Sequence, residues 1–191
     1  METPAAASKA ALRPQFRRRR AERLAATQGP LLEQARRWLP PLLQPGQRLG
    51  IYWPLPGEAD LRALEAEPRL RGRVALPRVS QGALGYRPWR ANGPLSPDDT
   101  GIPAPDPAPE LEPTQLGLLL VPALACDHEG FRLGYGGGWF DRLRSDAPWR
   151  AVPALAVLPQ ACLVEQLPRD PWDVPLDGWL HEGGVHWLRA V

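Results

Sequence analysis

Lysine is almost missing from this 191-residue sequence, which has one, Lys9, beside 22 arginines; methionine occurs once, cysteine twice and histidine three times. Each shortage excludes something. Cys126 and Cys162 have no metal-ligand spacing and suggest no disulfide framework, which fits a reducing compartment. His128, His181 and His186 form no metal-ligand cluster, and no Ser-His-Asp or Cys-His arrangement is evident. The longest apolar run, Gly117–Cys126, has ten residues and contains Pro122, too short to span a bilayer. The first 25 residues hold no apolar signal core, so the expectation is a cytoplasmic protein with no membrane partner. Against so many arginines, a lone lysine marks a place where a compact ammonium is wanted, or else is one solvated side chain among many.

What is present is unevenly charged. The net charge is +2, but residues 1–37 carry nine basic and three acidic side chains, while residues 91–131 carry seven acidic and none basic. The run Arg17–Arg20 with Arg23 resembles a nucleic-acid patch by charge alone. Only Phe16 sits among these arginines, so bases would find no stacking platform. The expectation is a helix with a solvated arginine face, or one edge at an anion site, and no nucleic-acid partner.

Patterning predicts alternating elements. Helices are expected over 14–27, with Pro14 in the first turn, and over 31–39, stopped by Pro40-Pro41. Strands are expected over 48–53, 73–79, 84–89, 118–121 and 152–157, and a helix over 58–67. Residues 91–113 read as a proline-studded acidic loop, a lid or a wrapped binding loop. Strands alternating with helices predict an α/β fold, one domain over 1–191, with an open, mostly parallel sheet flanked by helices.

The most specific segment is Arg132-Leu-Gly-Tyr-Gly-Gly-Gly-Trp-Phe-Asp141-Arg142. Glycines at 134, 136, 137 and 138 permit positive φ and close backbone approach to a ligand. A helix opening just afterwards, with Arg132 and Arg142 beside it, would suit phosphate. A tight turn with no ligand explains the composition equally well. Neither the Walker loop, which needs a lysine here, nor the dinucleotide pattern, which fails at Trp139, is present.

Together, Leu120-Val-Pro-Ala-Leu-Ala-Cys-Asp127 and Gly130-Phe-Arg-Leu-Gly-Tyr-Gly-Gly-Gly-Trp-Phe-Asp-Arg142 closely resemble the 5-formyltetrahydrofolate cyclo-ligase (5,10-methenyltetrahydrofolate synthetase) family. Weaker matches follow the family's order: Lys9-x-x-Leu-Arg13, Glu58-Ala-Asp60, Leu76-Pro77-Arg78-Val79, Gly101-Ile-Pro-Ala-Pro105, and Trp172-Asp173-x-Pro-Leu-Asp177. The resemblance implies a Rossmann-like domain and ATP- and Mg²⁺-dependent cyclisation of 5-formyltetrahydrofolate to 5,10-methenyltetrahydrofolate, through a phosphorylated formyl group. It implies that Lys9, Arg13 and Arg132 act catalytically and that the nucleotide is held by Lys9, Arg13, Gly134, Tyr135, Gly136, Gly137, Gly138, Trp139 and Asp141. Asp141 would hold the metal, and Trp53, Glu58 and Trp139 the folate. The partners implied are small molecules only, acting on a monomer. The family pattern is broken at Trp139-Phe140, where two tyrosines are usual, and at Thr100, Ala104 and Trp172. A non-catalytic nucleotide- or folate-binding relative is the alternative reading.

Overall fold

The computed structural model describes residues 8–188; Glu2 and the two ends of the expected domain lie outside that range. Helix α1 spans Lys9–Trp38, with the Ser8 side chain accepting from the Ala11 amide as its N-cap. The sequence pattern divides this stretch at its prolines, but Pro14 and Pro30 both lie inside one 30-residue helix. Each proline removes an intrahelical donor. Tertiary contacts outweigh that loss: Phe16, Leu31, Ala35 and Leu39 are buried along the helix. In mid-helix the Gln28 side chain donates to the Asp60 carbonyl at 2.7 Å and accepts from the Asp60 amide at 2.9 Å.

Twelve strands follow. In chain order they are β1 (Arg48–Gly50), β2 (Val74–Ser80), β3 (Ala83–Trp89), β4 (Leu95–Pro97), β5 (Pro103–Pro105) and β6 (Leu116–Pro122). The rest are β7 (Ala125–Asp127), β8 (Arg132–Leu133), β9 (Ala154–Val157), β10 (Leu163–Val164), β11 (Gly178–His181) and β12 (Gly184–Trp187). Helices α2 (Trp139–Ser145) and α3 (Ala147–Arg150) lie between β8 and β9. The main sheet runs β12-β11-β9-β6-β1-β2-β3, parallel throughout except for antiparallel edges at β12 and β3. This is the mostly parallel α/β sheet that the alternating pattern predicts.

Strand β6 shows why the sheet is buried on both faces. Leu118 and Leu120 pack with Leu31 and Ala35 of α1 and with Leu39 at its C-cap, while Leu119 and Val121 cluster with Leu143 of α2. The alternation follows the period-two pleat. Strand β1 lies between β2, which follows it in sequence, and β6, which lies on its other side. The chain therefore reverses its direction of winding at the β1/β6 boundary. In open α/β sheets a crevice forms there, outside the carboxyl ends of the strands.

Two expectations change in detail. Residues 58–67 contribute only a 3₁₀ helix, Arg62–Ala66. The acidic loop 91–113 contains the β4–β5 hairpin, organised by Asp98. Its carboxylate accepts from the amides of Val79, Thr100 and Ile102 at 2.9, 2.8 and 3.1 Å.

Candidate active site

A cavity of about 310 Å³ opens at this crevice. The strand ends supply its floor: Tyr52 and Trp53 after β1, Pro77 and Val79 in β2, and Pro122 closing β6. Thr100 and Ile102 of the hairpin form part of its wall. The twelve residues to which the resemblance gives a role line this one space: Lys9, Arg13, Trp53, Glu58, Arg132, the five residues Gly134–Gly138, Trp139 and Asp141. Arg142 does not line it and lies over the Trp139 ring instead.

The glycine loop forms one side. Gly136 and Gly138 have φ of +105° and +63°, conformations in which a Cβ is strained. Gly137 lacks positive φ; a Cβ there would stand 2.8 Å from the Trp139 indole instead. Among the described residues, no amide from Gly134 to Gly138 donates to a backbone or side-chain acceptor. Such a row of free donors suits an anion. Arg13 Nε donates to the Gly134 carbonyl at 3.0 Å, fixing the loop against α1.

Lys9 projects from the first turn of α1 and bonds to two carboxylates near the far end of the chain. Its Nζ lies 2.8 Å from Asp170 Oδ2 and also donates to Asp173. Burial lowers its proton affinity, but the bonds to Asp170 and Asp173 outweigh burial and hold the ammonium above its usual value. Lys9 is thus a charged group at the cavity and not a solvated surface side chain. The sequence reading did not single out Asp170 or Asp173 as site residues, although Asp173 stands in a motif that it used.

Asp141, in the first turn of α2, accepts from Arg132 Nη2 at 3.0 Å and from the Val174 amide at 3.4 Å. No group of three or more His, Cys, Asp or Glu side chains suited to a metal occurs among the described residues. A magnesium ion held by one carboxylate and by substrate phosphates does not need such a cage, so Asp141, which lines the cavity with the glycine loop, fits that ion.

Glu58 lines the same cavity, close to Tyr135 of the loop. It is 5% exposed. Its Oε2 accepts from the Leu55 amide at 2.8 Å, while the buried Oε1 has no hydrogen-bond partner. Burial raises its pKa above the usual value for glutamate, opposed by the Leu55 amide, the charge of Arg20 and the nearby Tyr135 hydroxyl. A buried acceptor without a donor is costly and invites a ligand N–H. Trp53 lies beneath the Arg62 guanidinium, 4.3 Å from its ring centroid, and Arg62 is paired with Asp60. The cysteines offer no nucleophile: burial pushes Cys126 up to about 12 and Cys162 up to about 11.

The chain is similar to known proteins over most of its length. A family model described as the 5-formyltetrahydrofolate cyclo-ligase family matches residues 5–182. A 5-formyltetrahydrofolate cyclo-ligase of Mycolicibacterium smegmatis is 33% identical over 157 residues, covering 75% of this chain and 78% of that protein. The one from Escherichia coli K12 is 30% identical over 143 residues, covering 72% and 78%. Among solved structures, the 5,10-methenyltetrahydrofolate synthetase of Aquifex aeolicus superposes with a TM-score of 0.76 at 26% identity, covering 96% of this chain and 94% of that one.

Proposed function

The chain belongs to the 5-formyltetrahydrofolate cyclo-ligase family, and from that premise we propose that its cavity cyclises 5-formyltetrahydrofolate to 5,10-methenyltetrahydrofolate, with ATP activating the formyl oxygen. The observation that carries this reading is one cavity lined both by free loop amides and by a buried carboxylate whose Oε1 accepts no hydrogen bond. The amides suit phosphate and the carboxylate suits the paired N–H donors of a pterin.

The formyl oxygen on N5 leaves poorly, so attack by the neighbouring N10 amine stalls. That oxygen instead attacks the γ-phosphorus of ATP and ADP departs. N10 then adds to the formyl carbon, phosphate leaves with the oxygen, and N10 loses its proton. Such chemistry needs alignment and charge stabilisation more than a covalent nucleophile. Gly134–Gly138 receive the triphosphate through their backbone amides, with Tyr135 and Trp139 closing over it. Lys9, Arg13 and Arg132 neutralise its charge. Asp141 would hold a magnesium ion, whose charge would stabilise the phosphates. Glu58 accepts from the pterin, and Trp53 and Trp139 give it apolar walls. The two cysteine thiols, which are free, fit the cytoplasm as its place of work. No helix among the described residues is long and apolar enough to cross a membrane.

The test is to incubate the protein with 5-formyltetrahydrofolate and MgATP and follow methenyl absorbance. Methenyl formation that stops when ATP is omitted is expected. Binding of both substrates without product would instead indicate a non-catalytic relative.

A further inference from the structure

One deeply buried charge has no part in the chemistry above. Arg20 is 2% exposed, although Arg17, Arg18 and Arg19 beside it are exposed. Its Nη1 donates to the Ala123 carbonyl at 3.1 Å, just past β6, and lies 3.7 Å from Glu58 Oε1. Its Nη2 donates to the Tyr135 hydroxyl, and its Cζ lies 5.3 Å from the Tyr135 ring centroid. Helix α1, the segment after β1, the end of β6 and the glycine loop therefore converge on one guanidinium. A buried ion is costly unless paired, and removing one partner leaves the other uncompensated. The rigid fork of an arginine reaches several acceptors at once, as an ammonium cannot.

We propose that Arg20 is a positioning residue for the cyclisation, setting from one side chain both the Glu58 carboxylate and the Tyr135 turn of the glycine loop. The proposal rests on the reading that Glu58 receives the pterin and the loop receives phosphate. It links the two half-sites without touching either substrate.

Three ionisable groups face Glu58: Arg20 from α1, Tyr135 from the glycine loop and Tyr52 from the segment after β1. Burial holds both tyrosines above their usual pKa, so they are neutral around neutral pH. Arg20 is then the one full charge opposing the effect of burial on Glu58. Without it, Glu58 keeps its proton to higher pH, and recognition that needs the carboxylate fails earlier as pH falls.

The test is steady-state kinetics across pH for the wild type, Arg20→Met, Arg20→Lys and Glu58→Gln, each checked for folding by thermal melting. Arg20→Met is expected to raise KM for both 5-formyltetrahydrofolate and ATP, each about tenfold. It should also move the acid limb of kcat/KM for folate to higher pH. Glu58→Gln should raise the folate KM alone and abolish that limb. Arg20→Lys retains the charge, so the limb should stay near its wild-type position while both KM values rise. Should Arg20→Met not fold, Arg20→Lys and Arg20→Gln, with and without charge, make the same comparison. Folded Arg20 variants with an unmoved acid limb and unchanged KM values would overturn the proposal while leaving the cyclo-ligase reading intact. So would loss of kcat alone in proportion to the folded fraction, and so would failure of every Arg20 variant to fold, since these show a structural role. A wild type that forms no methenyl product removes the reading itself and the proposal with it.

Discussion

Lys9 and Glu58 show how far a single residue type carries function. In the sequence, Lys9 is conspicuous only by its rarity; in the structure its ammonium lies between Asp170 and Asp173 at the cavity. Lys9→Ala should therefore raise the KM for ATP by about tenfold or more, since bonds to charged groups contribute roughly 1.5–3 kcal/mol. Unchanged ATP kinetics would return Lys9 to an ordinary ion pair. For Glu58 the sign is fixed by burial, which raises its pKa. Folate affinity should fall as pH drops, and should begin to fall at a higher pH than an ordinary glutamate would set. In Glu58→Gln this dependence should vanish, as binding titrations at several pH values would show. Lys9, Glu58 and Arg132 were all legible because motif and chemistry coincide in them. Arg20 was not: its neighbours in the arginine run are exposed, and only the tertiary fold distinguishes it.

At the scale of elements, the glycine loop is where sequence and structure agree most closely, and where the reason needed correction. The strained positions are Gly136 and Gly138, while Gly137 is constrained by the Trp139 indole. Gly136→Val places a β-branched residue at positive φ beside Arg13, which its Cβ would meet at 3.4 Å. A folded variant is expected that loses ATP-induced thermal stabilisation and cyclisation together, because a displacement near 1 Å can cost about 100-fold in rate. Retention of both would reduce the loop to a turn. Helix α1 offers a second measurement, independent of the site. Gly29 is exposed within the helix, and a Cβ there meets nothing within 4 Å beyond its chain neighbours. Pro30 follows it, and a proline ring crowds the Cβ of a preceding helical residue. Gly29→Ala should therefore gain less than the ~0.5–1 kcal/mol usual in a helix, read as a urea midpoint that shifts little with unchanged activity. The same helix was misread as two because proline is a local signal, whereas Leu31, Ala35 and Leu39 are held by the sheet. Strands β2, β3, β6 and β9 were legible from apolar runs. Strands β11 and β12, with glycines and histidines among few aliphatic residues, were not, and neither were β7, β8 and β10 at two or three residues each.

Across the whole molecule, function follows from where the sheet reverses. The β1/β6 boundary opens the crevice, α1 brings Lys9, Arg13 and Arg20 to it, and the chain after β10 returns Asp170 and Asp173 to Lys9. The alternating pattern foretold a mostly parallel sheet, but strand order is set by long-range pairing that no local window contains. The β4–β5 hairpin, read from sequence as an acidic loop, completes the wall because Asp98 folds the chain back on itself. What unites these parts is the claim that the cavity turns a formyl oxygen into a phosphate leaving group. The most direct measurement uses 5-formyltetrahydrofolate carrying a heavy-oxygen label in its formyl group, with MgATP and the wild-type protein, and mass analysis of the phosphate released. The label is expected in inorganic phosphate, one labelled phosphate for each methenyl product formed. Methenyl product accompanied by unlabelled phosphate, with the label left in water, would contradict that claim.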